Sequence, residues 1–273
     1  MLSAILEQGV IVLPLLLGAY ISLKLMKLPD FALESAFLSG AVFGYLFNSF
    51  PIGIIVCGSI FGGLLVGVTT LFLNQYLKIP YLLAAIATNG LFHGINQFVL
   101  KTAVVSFKVP LIFSEILLFI TLSFFSIAVA YLVLRSKLGY ALAIFGDNPE
   151  FFSHYQISSF YVMGSGLLLA HGLAGLSGCL FALSNGFIDL TMGFGVVLLC
   201  LTALMLGSCF FRNSSPNVLV PLSGVIVYFF LQQGILKFGF DLKYFNAVQA
   251  LIFIFFLYLK NFNLNMAYRI GRV

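Results

Sequence analysis

The segment IGIIVCGSIFGGLLVGVTTLFLN, residues 52–74, runs for 23 residues without a charged side chain. A helix needs roughly 20 apolar residues to cross the hydrocarbon core of a bilayer, so this segment is long enough to span it. Its glycines allow helix backbones to approach closely in lipid. The segment therefore predicts a transmembrane helix that packs tightly against its neighbours.

The rest of the chain has a similar composition. Of 273 residues, 62% are hydrophobic and 8% are charged, whereas a soluble domain averages about 25% charged residues. So few polar residues cannot cover a water-soluble fold of this size, which predicts an all-α polytopic membrane protein. Residues 1–273 are expected to form one transmembrane domain with about nine spans, near 4–23, 31–49, 52–74, 80–100, 111–134, 160–183, 191–210, 217–236 and 245–260.

The distribution of Lys and Arg predicts which ends of the spans face the cytoplasm. If the first span runs from outside to inside, nine basic residues lie on the cytoplasmic side and four lie outside, as the positive-inside rule favours. The cytoplasmic set is Lys24, Lys27, Lys78, Arg135, Lys137, Arg212, Lys260, Arg269 and Arg272, and the outer set is Lys101, Lys108, Lys237 and Lys243. Basic residues that face anionic lipid head groups account for the net charge of +5. We therefore expect membrane lipid as a partner and no nucleic acid.

A polar island, GYALAIFGDNPEFFSHYQIS at residues 139–158, interrupts the apolar sequence on the predicted cytoplasmic side. The residues predict a helix that Gly146 ends, followed by a short second helix. This second helix begins with a cap, a first helical residue and a first-turn acid, namely Asn148, Pro149 and Glu150.

Three aromatic residues of the short helix share one face: Phe151, Phe152 and Tyr155. That face either fills a groove in a partner or packs back onto the cytoplasmic ends of the bundle. The residues themselves leave both alternatives open.

Several polar residues lie inside the spans. On the fourth span, Asn89, His93, Asn96 and Gln97 recur at intervals of three and four and so share one face. This stripe is either a set of interhelical hydrogen bonds or the polar wall of a pathway. His171 is expected to be a hydrogen-bonded structural histidine, and neither it nor His93 has the partners that a metal site or nucleophilic catalysis requires.

Acids near the ends of spans have structural explanations. Asp30 follows a proline at the start of the second span, where we expect it to cap the helix. Glu34, one turn further on, also favours the positive end of that helix. Asp189 is followed by Thr191 and an apolar run, and we expect it to cap the next helix.

Three separated motifs carry a family resemblance that covers nearly the whole chain. They are residues 6–44, the segment FGDNPEFFSHYQISS with the apolar stretch at 167–208, and residues 224–259. In this order they resemble the membrane permease subunits of binding-protein-dependent ABC importers, in the group that includes branched-chain amino acid and ribose permeases. The chain is most similar to a subfamily linked to aromatic amino acid uptake.

The resemblance implies that the loop at about 135–159 contains the coupling helix, which sits in a cleft of a cytoplasmic ATPase. Its coupling residues would be Gly146, Asp147, Asn148, Pro149, Glu150, Phe151, Phe152 and Tyr155. Where relatives usually carry Leu-Gly, this chain has Tyr155-Gln156. Because the chain has no GxxxxGK[ST] phosphate loop, ATP and Mg²⁺ are expected on a separate ABC ATPase subunit, and this chain is not expected to be an enzyme.

The resemblance also implies the remaining partners. An extracytoplasmic substrate-binding protein would deliver the solute, and a second permease copy would complete a homodimer in the bacterial cytoplasmic (inner) membrane, with a heterodimer left open. Amino acids are the first expected solutes, with aromatic ones favoured by family alone, followed by sugars or nucleosides. Pathway candidates are Glu34, Asn89, His93, Asn96 and Gln97. The alternative function is an ATP-independent secondary transporter, which would use Glu34 and His93.

Overall fold

The computed structural model describes residues 2–109, 115–154, 158–211, 216–237 and 245–270. The helices are α1 Leu2–Ala19, α2 Ala32–Leu46, α3 Ile52–Gln75, α4 Tyr81–Leu100, α5 Glu115–Arg135, α6 Lys137–Asp147, α7 Phe151–His154, α8 Ser159–Asn185, α9 Val196–Phe210, α10 Leu219–Lys237 and α11 Phe245–Ile270. A π-helical segment, Tyr20–Leu25, continues α1. Two short strands are β1 Val104–Ser106 and β2 Phe187–Asp189.

Each predicted span overlaps one of the long helices, and the prediction of an all-α multi-pass membrane protein is confirmed. Five described helices are long and apolar enough to cross a bilayer: Ile5–Leu25, Ile52–Gln75, Glu115–Arg135, Ser159–Asn185 and Leu219–Lys237. Helices α2 and α9 have 15 residues each, or about 22 Å, less than the roughly 30 Å of a hydrocarbon core. The predicted count of nine spans is therefore not confirmed.

Helix α8 lies at the centre of the bundle, where it packs against α1, α2 and α3. Glycines make these approaches close: a Cβ atom on Gly175 would lie 2.5 Å from the Ser59 carbonyl oxygen and 3.0 Å from the Gly63 Cα. Gly40 of α2 contacts the Gly175 backbone in the same way. The glycine-rich sequence of residues 52–74 thus has the packing role that the sequence predicted.

Two long-range contacts connect loops at opposite ends of the helices. Strand β1 pairs antiparallel with β2, with Val105 opposite Ile188, and joins the connections that follow α4 and α8. Lys27 Nζ lies 2.6 Å from Asp147 Oδ1 and joins the loop after the π-helical segment to the end of α6. In the predicted topology, the strand pair joins two loops on the outer side, and the ion pair joins two loops on the cytoplasmic side.

Candidate functional site

A polar seam connects α2 and α4. The Ser35 hydroxyl donates hydrogen bonds to Asn89, to its side-chain oxygen and to its carbonyl oxygen. One turn along α2, Ser39 accepts a hydrogen bond of 3.0 Å from Asn96 Nδ2. For Asn89 and Asn96 the structure therefore shows interhelical hydrogen bonding, one of the two alternatives for the polar stripe.

The same seam opens into a cavity of about 240 Å³ between α2, α4 and the segment before α9. Three of the sequence-predicted pathway residues line it: Glu34, Asn89 and His93. Phe194 covers one side, with its ring centroid 6.2 Å from that of His93. The cavity therefore combines an acid, an amide and an imidazole beside an aromatic ring.

Glu34 joins this cavity to the start of α9. Its Oε1 accepts a hydrogen bond of 3.1 Å from the backbone N–H of Gly195. Gly195 is the N-cap residue of α9 and has a φ of +81°, a conformation that suits glycine. A carboxylate is stabilised at the positive N-terminal end of a helix, so Glu34 ties α2 to α9.

The other two predicted pathway residues do not line this cavity. Asn96 is fully buried against Ser39. Gln97 is exposed on the outer face of α4. The shared helical face therefore divides into a cavity-lining part and a part that packs or is exposed.

The expected capping role of Asp30 is wrong. Helix α2 begins at Ala32, and its N-cap residue Phe31 provides no side-chain cap. Asp30 is instead fully buried, with Oδ1 3.5 Å from the Nε2 atom of His171 on α8. The preceding loop turns the carboxylate inward, away from the end of its own helix.

His171 is a structural histidine, as predicted, and it has an acidic neighbour in Asp30. Its Nδ1 lies 2.8 Å from the Leu167 carbonyl oxygen, while its Nε2 faces Asp30. The Nε2 atom and both Asp30 oxygens have no hydrogen-bond partner among the described residues, so the two side chains form a close buried contact and not a hydrogen bond. Nothing in the local sequence of Asp30 or His171 indicates this pairing.

Asp189 also differs from its expected role. Its Oδ1 accepts hydrogen bonds of 2.7 Å from both the backbone N–H and the hydroxyl of Thr191. Helix α9 begins only at Val196. Asp189 therefore fixes the turn between β2 and α9 and does not cap the helix.

In the predicted cytoplasmic loop, Gly146 does not end a helix, because α6 continues to Asp147. Gly146 instead contacts the Leu25 and Met26 backbone so closely that a Cβ atom would overlap it. Asn148 does have the predicted capping role, since its Oδ1 accepts a hydrogen bond of 3.1 Å from the Glu150 backbone N–H. The short helix, α7, then begins at Phe151.

Phe152 of α7 packs back onto the bundle. It is 3% exposed and lies in a cluster with Phe145, Leu142 and Met26, whereas Phe151 is half-buried. Tyr155 lies outside the described residues. The exposed part of the predicted coupling segment is therefore the connection at residues 147–150.

A second, larger cavity of about 450 Å³ lies between α1, α2, α8, α9, α10 and α11. Its polar residues include Glu7, Gln232 and Gln249, none of which the sequence analysis singled out. The sequence signals were amide side chains in two otherwise apolar spans and an acid in the first span. Periodicity within one helix cannot indicate a site built from six.

Comparisons with known proteins give the following. The family model described as "Branched-chain amino acid transport system / permease component" matches residues 1–257. An uncharacterized protein of Rickettsia prowazekii (strain Madrid E) is 29% identical over 252 residues, which is 86% of this chain and 89% of the relative. A tyrosine transport system permease protein of Clostridioides difficile (strain R20291) is 27% identical over 274 aligned positions, 96% of this chain and 92% of the relative. No solved structure matches.

Proposed function

The chain belongs to the branched-chain amino acid transport permease family, and from this premise we propose that it is the transmembrane subunit of an ABC importer for an amino acid. The observation that carries the proposal is the family match over residues 1–257. The tyrosine permease relative, aligned with 96% of the chain, supports an amino acid as the solute. The chain is accordingly a transporter component and not an enzyme.

In this proposal the chain works with partners. An extracytoplasmic binding protein delivers the solute to the outer ends of the helices, and two ABC ATPase subunits, which hold ATP and Mg²⁺, drive the change between outward and inward states. A second copy of the chain completes a homodimer in the bacterial inner membrane. Membrane lipid surrounds the exposed apolar helix faces.

The ATPase would dock on the loop around α7. Residues 147–150 are exposed there. The helix that follows them is firmly attached to the bundle, because Phe152 packs in the cluster with Phe145 and Met26, and this attachment supports a coupling role. The Lys27–Asp147 ion pair adds a contact to the loop after α1. A force applied to residues 147–150 would therefore reach α6 and the end of α1. Gly146 contributes by permitting close packing of α6. The coupling role of Tyr155 stays a prediction.

The translocation pathway would include the cavity lined by Glu34, Asn89 and His93. Burying a carboxylate and an imidazole inside a membrane domain costs free energy, so such groups are rare and usually mark a functional site. This supports a role in the pathway. Asn96 would hold α4 against α2, and the role of Gln97 stays a prediction.

The test of this function is co-purification followed by uptake. The C-terminally tagged chain is purified from native membranes in detergent, its partners are identified by mass spectrometry, and uptake is measured in proteoliposomes with and without ATP. We expect an ABC ATPase to co-purify with the wild type, and the Glu150→Lys variant to lose both the ATPase and ATP-driven uptake. Glu115→Lys, the same charge reversal at an exposed residue of α5 on the predicted outer side, should keep both.

The alternative is a secondary transporter, favoured by the single observation that Glu34 and His93 line one cavity. Uptake by the purified chain without ATP, abolished in Glu34→Gln and unchanged in Glu150→Lys, would establish this alternative. It would contradict the importer proposal. Replacement of Gly146 is unsuitable as a coupling test, because a side chain there overlaps the Leu25 backbone.

A further inference from the structure

The larger cavity lies where helix ends of both polarities meet. It includes residues at the N-terminal ends of α1, α9 and α11 and at the C-terminal ends of α8 and α10. In the predicted topology all of these ends face the outside of the membrane. At about 450 Å³ the cavity falls in the range of small-molecule sites, roughly 300–1,000 Å³.

Two glutamines in the cavity have buried polar atoms without partners. Gln249, in the first turns of α11, is 2% exposed, and its Nε2 has no hydrogen-bond partner among the described residues. On α10, the buried Oε1 of Gln232 likewise lacks one within the described part of the chain. Because a buried polar group without a hydrogen-bond partner is destabilising, these atoms are expected to bind a ligand when the site is in use.

The charges around the cavity favour a solute with both signs. The N-terminal end of α9 already binds the Glu34 carboxylate. The N-terminal end of α11 carries partial positive charge and, with Gln249 Nε2 as donor, suits a further carboxylate. Glu7, an exposed acid at the start of α1, lines the same cavity and suits an ammonium group. The Oε1 atom of Gln232 adds an acceptor for that group.

Aromatic rings form part of the apolar wall, together with aliphatic side chains of α1 and α9. Phe37 and Phe181 lie 5.6 Å apart between ring centroids, and Tyr228 and Phe229 lie 5.2 Å apart. Phe194 lines both this cavity and the Glu34 cavity. Such edge-to-face and tilted rings are a favourable environment for another aromatic ring.

We propose that this cavity is an outward-facing binding site, within one subunit, for a zwitterionic aromatic amino acid. The carboxylate binds near Gln249 and the N-terminal end of α11, the ammonium binds Glu7 and Gln232, and the side chain packs among the phenylalanine rings. Phe194 separates this site from the Glu34 cavity, so the solute passes this ring to reach the polar seam. The proposal rests on the proposed transport function and names its substrate class.

The test is binding of radiolabelled L-tyrosine to the purified chain in nanodiscs, without ATPase or binding protein. Three competitors are used: tyramine, which lacks the carboxylate, 3-(4-hydroxyphenyl)propionate, which lacks the ammonium, and L-leucine, which lacks the ring. We expect L-tyrosine to bind and L-leucine to compete at least tenfold more weakly. Absence of L-tyrosine binding up to millimolar concentration would overturn the proposal, and equal competition by L-leucine would overturn its aromatic part.

Two isosteric variants separate the two ends of the ligand. Glu7→Gln should weaken L-tyrosine and tyramine at least fivefold and leave 3-(4-hydroxyphenyl)propionate within twofold of the wild type. Gln249→Glu, which places a negative charge beside the carboxylate, should weaken L-tyrosine at least tenfold and leave tyramine unchanged. If Gln249→Glu does not fold, Glu7→Gln decides alone, because Glu7 is exposed. Equal affinity of Glu7→Gln and wild type for all ligands would overturn the assignment.

Asn48→Asp is the matched control, an amide-to-carboxylate change at an exposed residue between α2 and α3, and it should bind every ligand like the wild type. The outcomes also separate this proposal from the importer function. ATP-driven tyrosine uptake by the assembled complex without binding to the permease would refute only the binding site. Binding with the expected pattern, together with uptake that needs no ATP, would refute only the importer function.

Discussion

Replacing Asp30 by Asn distinguishes a buried ion pair from a helix cap. Asn caps helices as well as Asp does, so a capping Asp30 would tolerate the change with almost no loss of stability. In the structure Asp30 is buried and its Oδ1 lies 3.5 Å from His171 Nε2. Removing its charge leaves the imidazole without its acidic partner in the interior of the bundle.

The magnitude follows from this distance. At 3.5 Å and an effective dielectric constant of about 20, the Coulomb attraction of a full ion pair is about 5 kcal/mol. Breaking a buried pair by removing one partner typically costs about 3–5 kcal/mol. With a shift of roughly 2–4 °C per kcal/mol for a chain of this size, we expect the thermal midpoint to fall by about 6–20 °C.

The assay is the thermal midpoint of the detergent-solubilised chain, followed by fluorescence-detected size-exclusion chromatography. Asp189→Asn is the matched control, since within the described part of the chain its carboxylate accepts hydrogen bonds only from Thr191 in the same turn. Its stability should change by no more than about 0.5 kcal/mol. The double variant Asp30→Asn/His171→Asn should lose less than the sum of the single losses. A midpoint for Asp30→Asn equal to that of Asp189→Asn would refute the buried pair.

Three further predictions follow from packing and charge. Gly175→Ala should lower the thermal midpoint, because overpacking costs roughly 1–3 kcal/mol and the new Cβ would lie 2.5 Å from the Ser59 carbonyl oxygen. Gly94→Ala, a helix position with nothing within 4 Å, should gain about 0.5–1 kcal/mol, and equal midpoints would contradict the packing. Phe152→Ala should cost about 3–5 kcal/mol, whereas Phe124→Ala, at a side chain that is 71% exposed, should change stability little in the same assay. Glu34→Gln retains an acceptor for Gly195 but loses the attraction of its charge to the α9 helix end, about 0.3–1 kcal/mol of stability. The variant should therefore fold, and its uptake in proteoliposomes should fall at least tenfold. Uptake equal to that of the wild type would exclude Glu34 from the pathway.

Residues of one helix were predicted better than residues that meet across helices. The stripe on α4 was visible because Asn89, His93 and Asn96 repeat with the helical period, and the structure places all three toward α2 or the adjacent cavity. The aromatic face of α7 was also visible. The sequence did not show whether this face points toward the bundle or away from it, because that depends on the packing of Phe152 against Phe145.

The failures share a cause. Asp30 was assigned by its neighbours in sequence, yet its decisive partner is on α8. Gly146 was assigned as a helix terminator because glycine commonly ends helices, yet its role is to let α6 approach the Leu25 backbone. A local cap is worth about 1 kcal/mol, whereas breaking a buried pair such as that of Asp30 costs about 3–5 kcal/mol. For Gly146, the close approach to the Leu25 backbone leaves no room for a side chain, whatever the local preference.

The sequence by itself determined that this is a multi-pass helical membrane protein, and the cytoplasmic position of its polar loop stays a prediction. Apolar segments of span length can satisfy their backbone hydrogen bonds in lipid only as helices, so composition and length suffice for that conclusion. Only the tertiary structure decided which polar groups meet: Asp30 with His171, Glu34 with the start of α9, and Gln232 with Gln249 around one cavity. These pairings depend on the relative rotation and depth of several helices. Close packing at glycines determines that arrangement, and the periodicity of a single helix carries no information about it.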